Sequence, residues 1–331
     1  MSGQPETGSG REYADQWLAV RSRILNAPVL MNGVQWFKAR KRVLATAQAG
    51  IGLFWMVVFL LAPLLYILTL SFWESGTAGT IVQEFTLENY YAVLVESVSL
   101  SSFDVGNIFL LVLWQSLKFG LSVTAVTLVL GYVPGYFLGR SESRWLPVLL
   151  LLVVLPFWVP LIVRYYAWML VLGENGVISW LSELVGFGSQ SFLYNEIAVV
   201  SGLVQVLLPF MILPIYNSVA KIEDSLIESA KTMGANPVRA FYEVSLPLSL
   251  PGVVAGCILV FILAVGSFLA PALLGGPGDQ MIANLIERTF LRGQNWPLAS
   301  AMSIVYLAVL FVMITAFNRF VSLDELFGEG N

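Results

Sequence analysis

The chain has 331 residues, 57% of them hydrophobic and only 11% charged, with a mean hydropathy of +0.79 and a formal net charge of −4. That composition excludes an ordinary water-soluble domain and points to an integral membrane protein. With no histidine and a single cysteine, Cys257, the chain can form no intramolecular disulfide and carry no histidine-dependent catalysis.

Six apolar runs reach the roughly 20 residues that a bilayer core demands. They are Leu44–Phe72, Ile108–Leu138, Trp145–Leu172, Ile197–Tyr216, Leu248–Leu274 and Leu298–Val321. The predicted fold is therefore all-α, with six transmembrane helices and both termini on one side. Basic residues are retained on the cytoplasmic face. With residues 1–43 inside, thirteen of the seventeen Lys and Arg are cytoplasmic, Arg288 and Arg292 lie outside, and Lys118 and Arg164 fall within spans. The expected organisation is a cytoplasmic segment over 1–43, a six-span domain over 44–321 and a cytoplasmic tail over 322–331.

Residues 1–43 lack the short apolar core and small-residue cleavage site of a signal peptide. Their first ten or so residues are rich in Gly and Ser and are expected to be disordered. Trp17, Val20, Ile24, Val29 and Trp36 keep helical spacing only in part, across Pro28. That pattern fits either an interfacial helix or a simple basic anchor.

The segment from Trp73 to Asn107 is predicted to be external, with a short helix near Phe85–Tyr90. In the second span Gln115, Lys118 and Ser122 share a helical face, with Trp114 adjoining. A lysine near mid-span costs about 2.5–3.5 kcal/mol on insertion scales, so it should face protein or water. Lys118 then either pairs with an acidic residue or helix end in the bundle, or lines a path and meets a substrate. Arg140, Glu142 and Arg144 make a cytoplasmic turn.

The third span contains Pro156 and Pro160, whose freed carbonyls need partners or a water-filled cavity. Arg164 and Trp168 follow as i, i+4 neighbours. Arg164 either snorkels or pairs with Glu174 or Glu196, or it contacts a solute. A Gly- and Ser-rich external loop, Gly173–Glu196, leads to a fourth span bearing Gln205, Pro209 and Pro214.

Residues Lys221 to Pro251 are polar and lie between two apolar segments. Asp224 can cap a short helix with Leu226, Ala230 and Met233 on one face. Gly234 ends that helix in a left-handed turn, and Asn236–Pro237 starts a second one. The second helix carries Val238, Phe241 and Tyr242, and Leu246–Pro247 is expected to close it. Glu228-Ser229-Ala230, then Gly234, then Leu246-Pro247 resemble the EAA loop of permease subunits in type I ABC importers, with Ser229 in place of the usual Ala.

The resemblance implies that residues 218–247 form a coupling loop seated in a cleft of a cytoplasmic ATPase, through Glu228, Ser229, Ala230, Gly234, Leu246 and Pro247. It implies two ATPase subunits carrying ATP and Mg, a second permease, different or identical, an extracytoplasmic solute-binding protein and a bacterial inner membrane. No cofactor on this chain and no nucleic acid are implied. Phe85–Tyr90 is likewise similar to the family's extracytoplasmic helix after the first span.

In the fifth span Gly252, Gly256, Gly266 and Ser267 supply small surfaces for close helix contact. Phe268–Gly276, Met281–Ile286 and Asn295–Ala301 resemble the spermidine/putrescine branch of the family. The solute implied is a polyamine. Candidate path residues are Trp114, Gln115, Lys118, Arg164, Trp168, Phe268 and Glu287. Because Lys118 and Arg164 are cationic, an amino-acid-derived or other carboxylate-bearing solute is the alternative.

No G-x-x-x-x-G-K-[ST] is present, so ATP hydrolysis must belong to a partner. H-E-x-x-H, Ser-His-Asp and G-x-S-x-G are also missing, and the chain is not expected to be an enzyme. An ion-coupled secondary transporter is the rival of a different class. It would need carboxylates inside spans, and the predicted boundaries leave none there.

Overall fold

The computed structural model describes residues 50, 52–76, 79–95, 105–186, 188 and 191–320. The readings for 1–43 and 322–331 fall outside the described residues. The chain divides into two units, residues 1–66 and 67–331. In the first, α1 (Gly52–Leu70, ending in the second unit) is a strongly apolar helix that exposes Leu53, Phe54, Trp55 and Phe59. Trp55 and Phe59, one turn apart, stack with ring centroids 5.6 Å apart.

After α1 comes the one departure from helix among the strands and helices of the described residues, a small antiparallel hairpin of β1 (Trp73–Ser75) and β2 (Ile81–Phe85). The short helix α2 (Glu88–Leu94) follows, as expected. Asn89 fixes it by donating through Nδ2 to the carbonyls of Ser71 and Trp73, at 3.1 and 2.8 Å.

The centre of the second unit is α7 (Glu196–Val219), packed between α3 (Val105–Gly139) and α10 (Leu246–Val265). Glycines make these approaches close. A Cβ at Gly135 on α3 would lie 2.9 Å from Ile215 Cγ2, and one at Gly256 on α10 would lie 2.7 Å from Met211 Sδ. Neither space admits a side chain, which is how small residues bring membrane helices together. The core so formed includes Phe119, Val123, Leu203, Met211, Ile215 and Val260.

The predicted third span is not one helix. It runs as α4 (Leu146–Val154), a 3-10 turn at Leu155–Trp158, and α5 (Leu161–Leu172). Val159 and Pro160 are extended (ψ 127° and 137°), Val159 because a residue before proline is pushed out of the helical region. The two halves are bent by 90°. Among the described residues five helices are long and apolar enough to cross a bilayer, or six if this bent pair counts as one crossing. Next come α6 (Val177–Leu184) and then α7, whose N-terminus Asn195 caps by accepting from the N–H of Ala198.

The polar stretch folds as α8 (Asp224–Thr232) and α9 (Pro237–Ala240). Leu246–Pro247 does not close the second helix, contrary to expectation. A π turn at Phe241–Ser245 carries the chain straight from α9 into α10. The wider turn makes room for the Pro247 ring, which would otherwise strike the carbonyl four residues back.

The fifth span is also shorter than predicted. It stops at Val265, and Gly266–Phe268 turn the chain into the separate short helix α11 (Leu269–Leu274). Two further helices complete the fold, α12 (Ile282–Leu291) and α13 (Trp296–Phe320). A second core, of Val93, Phe109, Leu113, Ile282, Ala301 and Met302, joins α2, α12 and the first turns of α3 and α13. It lies at the hairpin end of the bundle, opposite the end that carries α8 and α9.

Candidate functional site

At the loop end, Gly234 has φ +92° and open space around it, so the turn needs glycine for its backbone angle rather than for room. Asn236 caps α9 by accepting from the N–H of Arg239 at 2.7 Å. Asp224 is not the cap of α8. Glu223 holds that position without capping the backbone, its Oε2 accepting from Ser225 Oγ at 3.2 Å, and Asp224, first residue of the helix, forms an ion pair with Arg140.

The expected apolar face is only partly inward. Ala230 is buried and Phe241 half-buried, but Met233 is 83% exposed, Val238 64% and Tyr242 62%. Glu228 and Ser229 are exposed on α8, where Ser229 Oγ donates to the Ser225 carbonyl. Leu246 is half-buried and Pro247 exposed at the start of α10. The loop thus offers an apolar rim around its glycine elbow at an end of the bundle otherwise rich in charge.

The path candidates form two groups. On α3, Trp114 is exposed, Gln115 half-buried, and Lys118 Nζ lies 3.3 Å from Glu196 Oε2, the first residue of α7. Lys118 is not at mid-span. From it to the end of α3 is about 32 Å of helix, close to the full hydrocarbon thickness of about 30 Å. It lies on the hairpin side of the middle of α3, beside the N-terminus of α7.

Ser116, buried on the neighbouring face, accepts from the N–H of Ile282 at 2.7 Å and so holds the start of α12. Asn284 Nδ2 in turn donates to the Phe268 carbonyl at 2.7 Å. These bonds draw α3, the Phe268 turn and α12 with its half-buried Glu287 into one assembly. The Phe268 side chain remains 51% exposed.

Arg164 and Trp168 stand apart on α5. Trp168 packs on the main core, and Arg164 is half-buried with Nε and Nη1 enclosed and lacking a protein acceptor. Of its two expected partners, Glu196 is taken by Lys118.

Ser116 and Asn284 were not foreseen as positioning residues. Nor was the spacing Gly131-Tyr132, Gly135-Tyr136, Gly139-Arg140 at the end of α3, although a four-residue repeat of this kind is visible in the sequence.

Residues 127–323 match the family described as binding-protein-dependent transport system inner membrane component. The chain belongs to that family. This permease is 35% identical over 267 residues to the spermidine/putrescine transport system permease protein PotB of Haemophilus influenzae, covering 80% of this chain and 90% of the relative. PotB of Escherichia coli K12 is 33% identical over 267 residues, with 80% and 93% covered. The inner membrane ABC transporter permease protein YdcU of the same strain is 27% identical over 297 residues, covering 84% and 92%.

Among solved structures, a bacterial alginate ABC transporter in complex with a pentasaccharide-bound periplasmic protein aligns with a TM-score of 0.63 at 17% identity. It covers 86% of this chain and 96% of its own. That likeness concerns the fold. The permease is a multi-pass inner-membrane component and a transport subunit rather than an enzyme.

Proposed function

We propose that the chain is one transmembrane subunit of an ATP-driven importer that passes a polyamine from an extracytoplasmic binding protein to the cytoplasm. The observation that carries the substrate class is the 33–35% identity to two spermidine/putrescine permeases across 80% of the chain. Residues 218–247 are the coupling element. Their exposed Met233, Val238 and Tyr242 around a positive-φ glycine supply the apolar surface that a partner cleft would cover.

The loop end faces the cytoplasm. Arg140, Arg144, Lys221, Lys231 and Arg239 gather there, whereas Arg288 and Arg292 lie at the opposite end. Two ATPase subunits, carrying ATP and Mg, would close on nucleotide, move the coupling elements and turn the pathway between its two openings. A second and different permease chain would complete that pathway.

At the external rim, Trp114 presents an exposed ring one turn from the Lys118–Glu196 pair, and Glu287 and Phe268 sit on the adjoining α12 and turn. Carboxylates and aromatic faces suit ammonium groups. Lys118, neutralised by Glu196, no longer argues for an anionic solute.

The test is thermal unfolding of the cognate binding protein with spermidine, putrescine and carboxylate-bearing amino-acid derivatives. Stabilisation by the polyamines alone supports the reading, and stabilisation only by a carboxylate-bearing solute contradicts it.

A further inference from the structure

The last turns of α3 carry a double row. Gly131, Gly135 and Gly139 lie one turn apart and press on Met211, Ile215 and Val219 of α7. The residues just after them, Tyr132, Tyr136 and Arg140, share that spacing, and all three reach the 222–249 segment.

Tyr132 Oη lies 3.0 Å from Ser249 Oγ on α10. Since Ser249 spends its own proton on the Leu246 carbonyl, the tyrosine is the donor. Tyr136 Oη donates to Ser245 Oγ in the π turn at 3.2 Å. Ser245 and Ser249 are both fully buried. Phe241, at the head of the π turn, sets its ring edge-on to both tyrosines, at 84° and 83°. Arg140 donates to the Ile222 carbonyl at 3.0 Å and pairs with Asp224 at the start of α8.

We propose that Tyr132, Tyr136 and Arg140 form a strut that locks α8, the π turn and the start of α10 to α3, so that movement of the coupling element is delivered to α3 as a rigid-body displacement. The glycine row gives α3 a close grip on α7, and the strut row gives it a grip on the loop. A push at the apolar rim therefore reaches three packed helices together instead of being absorbed in loop bending. The π turn is the one weak ring in the helical ladder between α9 and α10, and the strut braces it from the side. Tyr132, Tyr136 and Arg140 are positioning residues, since none belongs to the exposed rim. The inference rests on the reading of 218–247 as the coupling element.

The experiment uses the whole importer, both permeases, ATPases and binding protein, in proteoliposomes, with ATP hydrolysis and spermidine uptake measured on the same preparation. Arg140→Asp should keep most of the ATPase turnover yet lower uptake per ATP by about ten-fold, the scale of one charge-assisted contact, and Asp224→Arg, within the coupling element itself, should lower uptake per ATP at least as much. The double exchange should restore most of it. Singles that couple like wild type, or an exchange no better than the singles, would overturn the strut.

Arg140→Asp could fail to assemble, so a second measurement uses spin labels at Ser143 and Thr232 in a Cys257→Ala background. Their separation should stay the same in nucleotide-free and vanadate-trapped importer, and change between the two states in Tyr136→Phe. A separation that changes in the parent protein overturns rigid delivery. A wild-type importer whose ATPase does not respond to its loaded binding protein would overturn the coupling reading itself, a result distinct from wild-type coupling in the strut variants.

Discussion

Lys118 Nζ and Glu196 Oε2 are 3.3 Å apart, joining α3 to the first residue of α7 at the hairpin end of the bundle. Both side chains are nearly half exposed (45% and 44%), so the pair is screened and contributes well under about 1 kcal/mol to stability. Its significance is electrostatic. It places a carboxylate at the rim with a tethered ammonium occupying it. Lys118→Gln should leave assembly intact and polyamine uptake undiminished or improved, while Glu196→Gln should weaken uptake several-fold. Initial uptake rates in the reconstituted importer decide it, and selective loss of uptake in Lys118→Gln contradicts it.

Gly234 separates folding from coupling. A β-branched residue at φ +92° costs on the order of 1–2 kcal/mol of backbone strain, although no neighbouring atom blocks a side chain. Gly234→Val should insert and reach the membrane at normal levels yet abolish transport. Asn, which tolerates that backbone region, should keep part of it. Normal transport by Gly234→Val removes the coupling assignment.

The glycine elbow and the Asn236 cap could be read from the sequence because each depends on one or two neighbouring residues. The break at Pro156–Pro160 was legible as a weakness, but not as a 90° bend, since the angle is set by what α4 and α5 pack against. Leu246–Pro247 misled for a related reason. Proline usually ends a helix, yet here a π turn absorbs it, and that turn is held by Tyr136 from a distant helix. Lys118 appeared to be at mid-span because the first turns of α3 are as apolar as a membrane segment. One face of those turns, Phe109 and Leu113, is buried against α2, α12 and α13 instead, while Leu111 and Trp114 stay exposed.

Helix contact gives a third expectation. A Cβ at Gly135 would sit 2.9 Å from Ile215 Cγ2 and 3.1 Å from the Ile212 carbonyl, and backbone cannot yield as a flexible side chain can. Gly135→Leu should therefore destabilise the bundle by about 1–3 kcal/mol or more, lowering its unfolding temperature in detergent. Gly278→Ala, in open space and outside the left-handed region, should shift that temperature far less. Equal shifts would contradict the packing account.

Orientation can be checked chemically. Single cysteines at Ser225 on α8 and Ser182 on α6, in a Cys257→Ala background, should react with an impermeant maleimide from the cytoplasmic and external faces respectively. Labelling from one face alone would overturn the placement of α7 as a full crossing.

The most direct test of the account is ATP-driven uptake of radiolabelled spermidine by proteoliposomes containing this chain, its partner permease, the ATPases and the binding protein. The account predicts accumulation that requires ATP and binding protein, is competed by putrescine and is lost in Gly234→Val. Uptake that runs on an ion gradient without ATP, or accumulation of a carboxylate-bearing solute with none of spermidine, would contradict it.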